Sequence, residues 1–379
     1  MMNQVVEPVR AISFAEARPL VICEIEQFGG AERSLLALSS WLYKCGIAHY
    51  FVTYADHCRL AQYAAHPLTI LELRPGVGAW RKITSLKKHF AARGRSQYQP
   101  LLSGYQPAVH GTLAGLRGFH DLMHDTPALF SDAAARGWSA KARVAAMNRV
   151  AGVGLRSGGA TIVTSEFLKG ECRREFGVDA KIARMGGLGG SRTLRLRQVV
   201  GNLRMLSVCR VEANKRLDWV LRALATLEAQ ALPLSQRVYW SLDVVGDGSL
   251  IGSLREMAEA LGIGGRVRFH GFVADAALEE MYDAAHLFVM PAMQGYGIPA
   301  VEALERGIPV LLHRESGVSD LLLETEWATV ISGDEAGMED GLHEAMEKVV
   351  AGRHFSAPLP VLPTEDEWAE RVAGLCGWG

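Results

Sequence analysis

The stretch RMLSVCRVEANKRLDWVLRALATL (204–227) decides the fold. RMLSVC is an apolar run of strand length. Leu217, Val220, Leu221, Leu224 and Leu227 then follow at the i, i+3, i+4, i+7 spacing of a helix that buries one face. The same rhythm continues downstream with YWSLDVVG (239–246), a helix near 249–261, RVRFHGF (266–272), a helix near 275–284, HLFVM (286–290), a helix from about 299 and IPVLLH (308–313). Such strict alternation is the pattern of a parallel α/β sheet. Toward the amino terminus the rhythm is looser, with LVICEIE (20–26), AERSLLALSSWLYK (31–44) and AHYFVTY (48–54). ATIVT (160–164) follows, then a helix from Ser165, suited as its N-cap, to about Glu175.

A chain of 379 residues is two to three times the commonest domain size, so two domains are expected. MGGLGGSRTLRLRQVVGN (185–202), rich in Gly, Ser and Arg and without periodicity, reads as the linker. It divides the chain into 1–195 and 196–360. After the proline-marked SAPLPVLP (356–363), TEDEWAERVAGLCG (364–377) reads as one more helix, with Thr364 and Glu367 at capping-box spacing. That helix is expected to pack back on the first domain.

With 40 Lys+Arg against 41 Asp+Glu, a net charge of -1 excludes the global basic field of a nucleic-acid binder. Six cysteines without a C-x-x-C pair exclude a zinc ribbon and a dithiol motif, and read as the reduced thiols of a cytoplasmic protein. Glu7, Arg10, Glu16 and Arg18 break any signal-peptide core, and no uncharged apolar run reaches about 18 residues. A soluble or peripheral protein is expected. No D-x-D, H-E-x-x-H or G-x-S-x-G is present, so no metal site is expected.

In open parallel sheets ligands lie beyond the carboxyl ends of the strands. Four turns there carry chemistry. QFGGAER (27–33) sets Gly29 and Gly30 at a helix start, where bare amides can hold an anion or simply make a tight turn. SVCRVEANKRLD (207–218) offers Arg210 and Lys215, either a two-sided grip on a diphosphate or solvated surface charges. VVGDGS (244–249) allows close backbone approach at Gly246 and Gly248. MPAMQGYGIPAVEALERGIPV (290–310) places Tyr296 and Gly297 in a turn and Glu302 just inside a helix. Glu302 can accept bonds from a ribose or complement the helix dipole.

In this order the four turns, joined by TIVTSEFLKGECRREFGV (161–178), resemble a retaining glycosyltransferase of the family 4 type. Most telling are GGAER, the R-x4-K pair, V-G-x-G and G-Y-G-x-P-x-x-E-A-x-x-x-G-x-P-V, densest over 204–320. The resemblance implies an α/β fold of the GT-B kind, two Rossmann-like parallel-sheet domains facing each other across a cleft. It implies that Arg210 and Lys215 neutralise the donor diphosphate, that Glu302 binds the donor ribose, and that Gly29 and Gly30 offer amides to the phosphates. Val273 would lie by the nucleobase, with Gly246, Tyr296, Gly297 and Ile298 completing the donor set. His124 in DLMHDTP matches the histidine that approaches the donor sugar, although His120 and Asp121 form a second His-Asp four residues earlier. Gln294 stands where the family's E-x7-E pattern has glutamate, so it keeps a hydrogen-bonding carbonyl but lacks the charge. MGGLGG replaces the usual P-N-G turn, leaving Gly187 as its equivalent.

The activity so implied is transfer of a sugar from a UDP-, GDP- or ADP-sugar to the hydroxyl of a glycan, lipid-linked or small-molecule acceptor. Configuration would be retained, with no metal and no cofactor. The alternatives are a sugar-nucleotide epimerase or hydrolase on the same frame, and a catalytically weakened partner subunit for which Gln294 is the argument. WRKITSLKKHFAARGRSQY (80–98), with Arg81, Lys82, Lys87, Lys88, Arg93 and Arg95 and no acidic residue, suits either an anionic membrane or a helix with a solvated basic face. In the first case Trp80, Ile83, Leu86 and Phe90 would lie beneath the charges.

Overall fold

A computed structural model describes residues 16–26, 28–93, 98–127, 137–187, 197–230 and 239–379. The chain divides into two units. Unit 1 comprises Met1–Val163, Lys169–Arg184 and Glu365–Gly379, and unit 2 comprises Thr164–Leu168 and Met185–Thr364. The boundary expected near 195 lies outside the described residues.

In unit 1 the strands are β1 (Arg18–Val21), β2 (Glu24–Ile25), β3 (His49–Thr53), β4 (Ala55–Asp56), β5 (Ile70–Glu72), β6 (Leu101–Leu102), β7 (His120–Met123), β8 (Thr161–Val163) and β9 (Lys181–Ile182). Seven pair in parallel in the order β5-β3-β1-β6-β7-β8-β9. The single strand expected over 20–26 is in fact two. At Cys23 the chain leaves the sheet, its carbonyl bonded by the Thr53 hydroxyl and the Tyr54 amide, and β2 then pairs with β4 in a separate ribbon. The helix Gly30–Lys44 packs on the C-terminal helix Glu365–Leu375 through buried Leu35, Leu38, Trp368 and Val372, with ion pairs Arg33–Glu365 (3.4 Å) and Lys44–Asp366 (3.0 Å).

Unit 2 holds β10 (Asn202–Val208), β11 (Tyr239–Val245), β12 (Val267–Gly271), β13 (Leu287–Met290), β14 (Val310–His313) and β15 (Ala328–Ile331), all parallel, in the order β12-β11-β10-β13-β14-β15. The helix Leu217–Ala229 buries Leu217, Val220, Leu221 and Leu224 as its periodicity predicts, with Leu227 packed at the margin. Beneath it lie Leu203, Met205, Leu242 and Val244. In both sheets the strand order reverses beside the first strand, between β1 and β6 and between β10 and β13. Loops on either side of such a switch diverge and leave a crevice at the carboxyl edge.

Candidate functional site

At the switch of unit 2, the turn after β10 lies against the turn after β11. Gly246 has φ +122°, and a Cβ there would fall 2.0 Å from the Cys209 carbonyl oxygen; one at Gly248 would fall 2.3 Å from that of Val211. Only glycine permits this approach. The Val211 amide donates to the Asp247 carbonyl (2.9 Å), and Glu212 accepts from the Ser249 amide (2.9 Å) and hydroxyl (2.6 Å). Those bonds, the hydroxyl's first, hold the Glu212 carboxyl below its ordinary range.

The turn after β10 is also tied to the turn after β13, some eighty residues on. The Met293 amide donates to the Asn214 carbonyl (2.9 Å), and the Asn214 side chain returns a bond to the Met293 carbonyl (3.1 Å). This brings Lys215, the last residue of the short turn Ala213–Lys215, to Gln294. Lys215 Nζ donates to Gln294 Oε1 at 2.6 Å, and Gln294 Nε2 donates to the Ser316 hydroxyl at 3.0 Å. Ser316, fully buried, donates onward to the Tyr296 carbonyl (3.1 Å). The Gln294 backbone is held too, its amide on the Glu315 carbonyl (3.0 Å) and its carbonyl on the Gly317 amide (3.1 Å). A buried amide engaged at both ends fixes the ammonium it accepts from. Arg210, exposed just past β10, makes no side-chain hydrogen bond or ion pair among the described residues.

Glu302 is half-buried in the helix Ile298–Glu305 and accepts from the Tyr282 hydroxyl (3.1 Å). Burial, reinforced by that carboxylate, pushes the Tyr282 phenol well above its ordinary range. Gly297, with φ +116°, caps this helix, and a Cβ there would meet Gln294 Nε2 at 2.6 Å. Tyr296 is buried, its hydroxyl on the Met185 carbonyl (2.6 Å); Ile298 is half-buried, as is Val273, which follows the exposed Phe272. Asn214, Ser316 and Arg216 were not among the sequence-derived candidates. Arg216, at φ +54°, pairs with Glu315 and stacks on Trp219 (4.5 Å). The signal available for Ser316 was its place just after a strand end.

In unit 1 the Gly29 amide donates to Glu32 Oε2 (3.0 Å), a local bond that closes the first turn of the helix. Gly30 is the first residue of that helix. The two His-Asp pairs separate cleanly. His120 lies within β7, buried, with Nδ1 accepting the Ala160 amide (3.1 Å) and its ring edge-on to Trp378. Asp121 beside it is wholly buried, neither oxygen has a hydrogen-bond partner among the described residues, and burial holds its carboxyl well above the ordinary range. His124 follows the carboxyl end of β7, and its Nε2 has no partner among the described residues. Burial pushes this imidazole down to about 4, against a small opposing pull from Asp125, so it is neutral at pH 7.

His354, also buried, is likewise lowered to about 4 by burial. Between pH 6.5 and 4 the unfolded chain binds protons at both sites and the folded chain does not, so acidification favours unfolding. Thermal melts are expected to show the parent's Tm falling more steeply than that of His354→Gln as the pH is lowered from 6.5 toward 4, since each of the two imidazoles costs up to ~3 kcal/mol over that window, while the raised Asp121 carboxyl acts in the opposite direction in both proteins. The same pH dependence in the two proteins would contradict the burial account.

The family described as Glycosyl transferases group 1 matches residues 197–357. Among curated proteins, the GDP-mannose-dependent alpha-(1-6)-phosphatidylinositol monomannoside mannosyltransferase of Mycolicibacterium smegmatis is 27% identical over 184 residues, 45% of this chain and 46% of that protein. The D-inositol 3-phosphate glycosyltransferase 2 of Catenulispora acidiphila is 31% identical over 139 residues, 35% of this chain and 32% of that protein. The chain thus matches less than half the length of these relatives. Among solved structures, WaaG, a glycosyltransferase involved in lipopolysaccharide biosynthesis, superposes with a TM-score of 0.69 at 18% identity, over 95% of this chain and 100% of that one. Anabaena HepE in complex with UDP and glucose gives 0.69 at 17% identity, over 95% and 99%. The fold is therefore the one these glycosyltransferases share, an α/β fold of two Rossmann-like parallel-sheet domains of the GT-B class.

Proposed function

We propose that the chain is a retaining glycosyltransferase of the family 4 type, moving a sugar from a nucleotide-sugar donor to an acceptor hydroxyl. The observation that carries this reading is the Lys215 ammonium held by Gln294 at the switch between β10 and β13, with Arg210 at the same strand end. Two cations at a carboxyl edge suit a diphosphate. Glu302 would take the ribose hydroxyls and Val273 would flank the base, with Gly246, Tyr296, Gly297 and Ile298 shaping the donor turns. HepE, which shares the fold, has been solved with UDP-glucose, in keeping with a UDP-, GDP- or ADP-sugar donor here.

As the bond between the anomeric carbon and the phosphate oxygen breaks, negative charge grows on the diphosphate, and Arg210 and Lys215 stabilise it where it develops. The departing phosphate oxygen takes the acceptor proton on the face that the new bond forms, so configuration is retained. These side chains supply the positive charge, so we propose transfer without metal or cofactor. His124, neutral, offers a ring nitrogen to a sugar hydroxyl. Calorimetric titration with UDP, GDP and ADP should find one strong ligand, and NMR of the product should show the donor's anomeric configuration, with the rate unchanged by EDTA. An inverted product or the absence of any nucleotide binding would refute the reading.

Gln294 favours a second reading, a catalytically weakened nucleotide-sugar-binding partner. Nucleotide binding without turnover, restored by Gln294→Glu, would establish it over the first.

We further propose a peripheral, cytoplasmic-side contact with anionic membrane through the helix Ala79–Ala92. Ile83 and Leu86 are buried against unit 1, but Trp80 is 75% exposed, and Arg81, Lys87 and Lys88 face solvent. Lys82 is instead paired with Glu24 (2.7 Å), Arg93 bonds the Ala17 carbonyl (2.8 Å), and Arg95 lies outside the described residues. Among the described residues no helix is long and apolar enough to span a bilayer. Co-sedimentation with phosphatidylglycerol vesicles should exceed that with phosphatidylcholine and fall in Trp80→Ala; equal recovery in both supernatants rules the contact out.

A further inference from the structure

Parallel sheets are ordinarily covered by helices on both faces, and their strands read as nearly continuous apolar runs. β11 and β12 depart from this. In YWSLDVV, Trp240, Leu242 and Val244 are buried beneath the helices Leu217–Ala229 and Ile251–Ala260, while Tyr239, Ser241 and Asp243 point to the other face. Arg268 and His270 of β12 and Arg204 of β10 join them there. The result is a recess of about 550 Å³ on the sheet face, with Glu280 and Met281 of the helix Asp275–Ala284 on its wall. It reaches to Asn202, Tyr239 and Gly265 at the amino ends of the strands, whereas the donor turns lie at the carboxyl ends.

The hydrogen-bonding groups in this recess are unevenly satisfied. Asp243 is taken by His270 (2.7 Å), and Arg266 is held by Glu228 (2.8 Å) and lies over the Tyr239 ring (4.6 Å). The guanidinium groups of Arg204 and Arg268 have no hydrogen-bond or ion-pair partner among the described residues. They stand on successive rungs of the same face, opposite Ser241 and Asp243 respectively. Two strand spacings and two residues of rise separate their backbones, about 12 Å, short enough for two long side chains to reach one phosphate between them. Asn202 donates to the Ser241 hydroxyl (3.1 Å), which leaves the Ser241 hydrogen to give. Tyr239, braced by Arg266, is half exposed as a stacking surface.

We propose that this face is a second ligand site, distinct from the donor turns, that takes a phosphorylated sugar. Arg204, Arg268 and Ser241 bind the phosphate, and the sugar ring stacks on Tyr239. Glu280 at the wall disfavours a ligand with more than one phosphate. The site does not depend on the transferase reading.

The test is calorimetry of the full chain with glucose 6-phosphate and mannose 6-phosphate, with inorganic phosphate and free glucose as comparison arms. At least one hexose phosphate should bind, more tightly than inorganic phosphate, and free glucose should not. The double variant Arg204→Ala/Arg268→Ala should weaken that binding by about tenfold or more, the loss expected when charge-assisted bonds to phosphate are removed. Both side chains are exposed, so its melting temperature should stay near that of the parent. Lys215→Ala should leave hexose-phosphate binding unchanged. Binding that survives the double variant but fails in Lys215→Ala would assign the ligand to the donor turns and overturn the proposal. So would no binding at millimolar concentration, or equal affinity for inorganic phosphate.

Discussion

Lys215→Ala is expected to lower kcat/KM for the best donor by about 10- to 150-fold, the equivalent of ~1.5–3 kcal/mol for a charge-assisted hydrogen bond. The substitution removes the cation held 2.6 Å from Gln294 at the meeting of the two turns. It also leaves Gln294 Oε1, in a side chain only 9% exposed, without that donor. Part of the effect is therefore loosening of the turn, so nucleoside diphosphate affinity should fall alongside turnover. The circular dichroism spectrum should be unchanged, since Lys215 lies at the surface end of the sheet. Turnover that survives intact would remove the diphosphate from this site.

Gly246→Ala is expected to destabilise unit 2 by about 3 kcal/mol, combining a positive φ with overpacking, or about 6–12 °C in Tm for a domain of this size. The added methyl would fall 2.0 Å from the Cys209 carbonyl oxygen, and neither partner can yield cheaply. The Gly246 amide is bonded to the Gly271 carbonyl (2.8 Å), and the Cys209 amide to that of Val245 (3.0 Å). Gly262→Ala is the control: it also has positive φ (+75°), but nothing lies within 4 Å of the new methyl, so only about 1 kcal/mol of backbone strain is expected. Equal losses in the two variants would mean that the close packing of the turns contributes nothing.

The strands and helices of unit 2 were legible because each lies in a long, cleanly periodic segment. Unit 1 was less so. β6 has two residues and β5 and β8 three, too short to leave a periodic trace, and their existence depends on partners supplied by neighbouring strands. The basic stretch from 80 was read as six equivalent cations. In the fold Lys82 and Arg93 turn back onto unit 1, since a helix presents its side chains around its whole circumference. The motif, repeated at an interval of four, favoured His124 over His120 as the histidine that approaches the sugar. β7 encloses His120 and ends before His124, a placement that only the strand's bounds supply.

What the sequence determined by itself was local: the alternation of strand and helix, the turns at which chemistry could sit, and the glycines those turns demand. Periodicity and backbone sterics act over a few residues, so they can be read without knowing what packs on them. Only the tertiary structure decided which turns meet. β10 lies beside β13 rather than beside the strand that precedes β13 in the chain, and that adjacency alone brings Lys215 to Gln294 and Asn214 to Met293. It also left a recess on one face of β11 and β12, with two guanidinium groups on it that are unpaired among the described residues. Strand order is set by hydrogen bonds and apolar burial between segments far apart in sequence, and no local pattern carries that information.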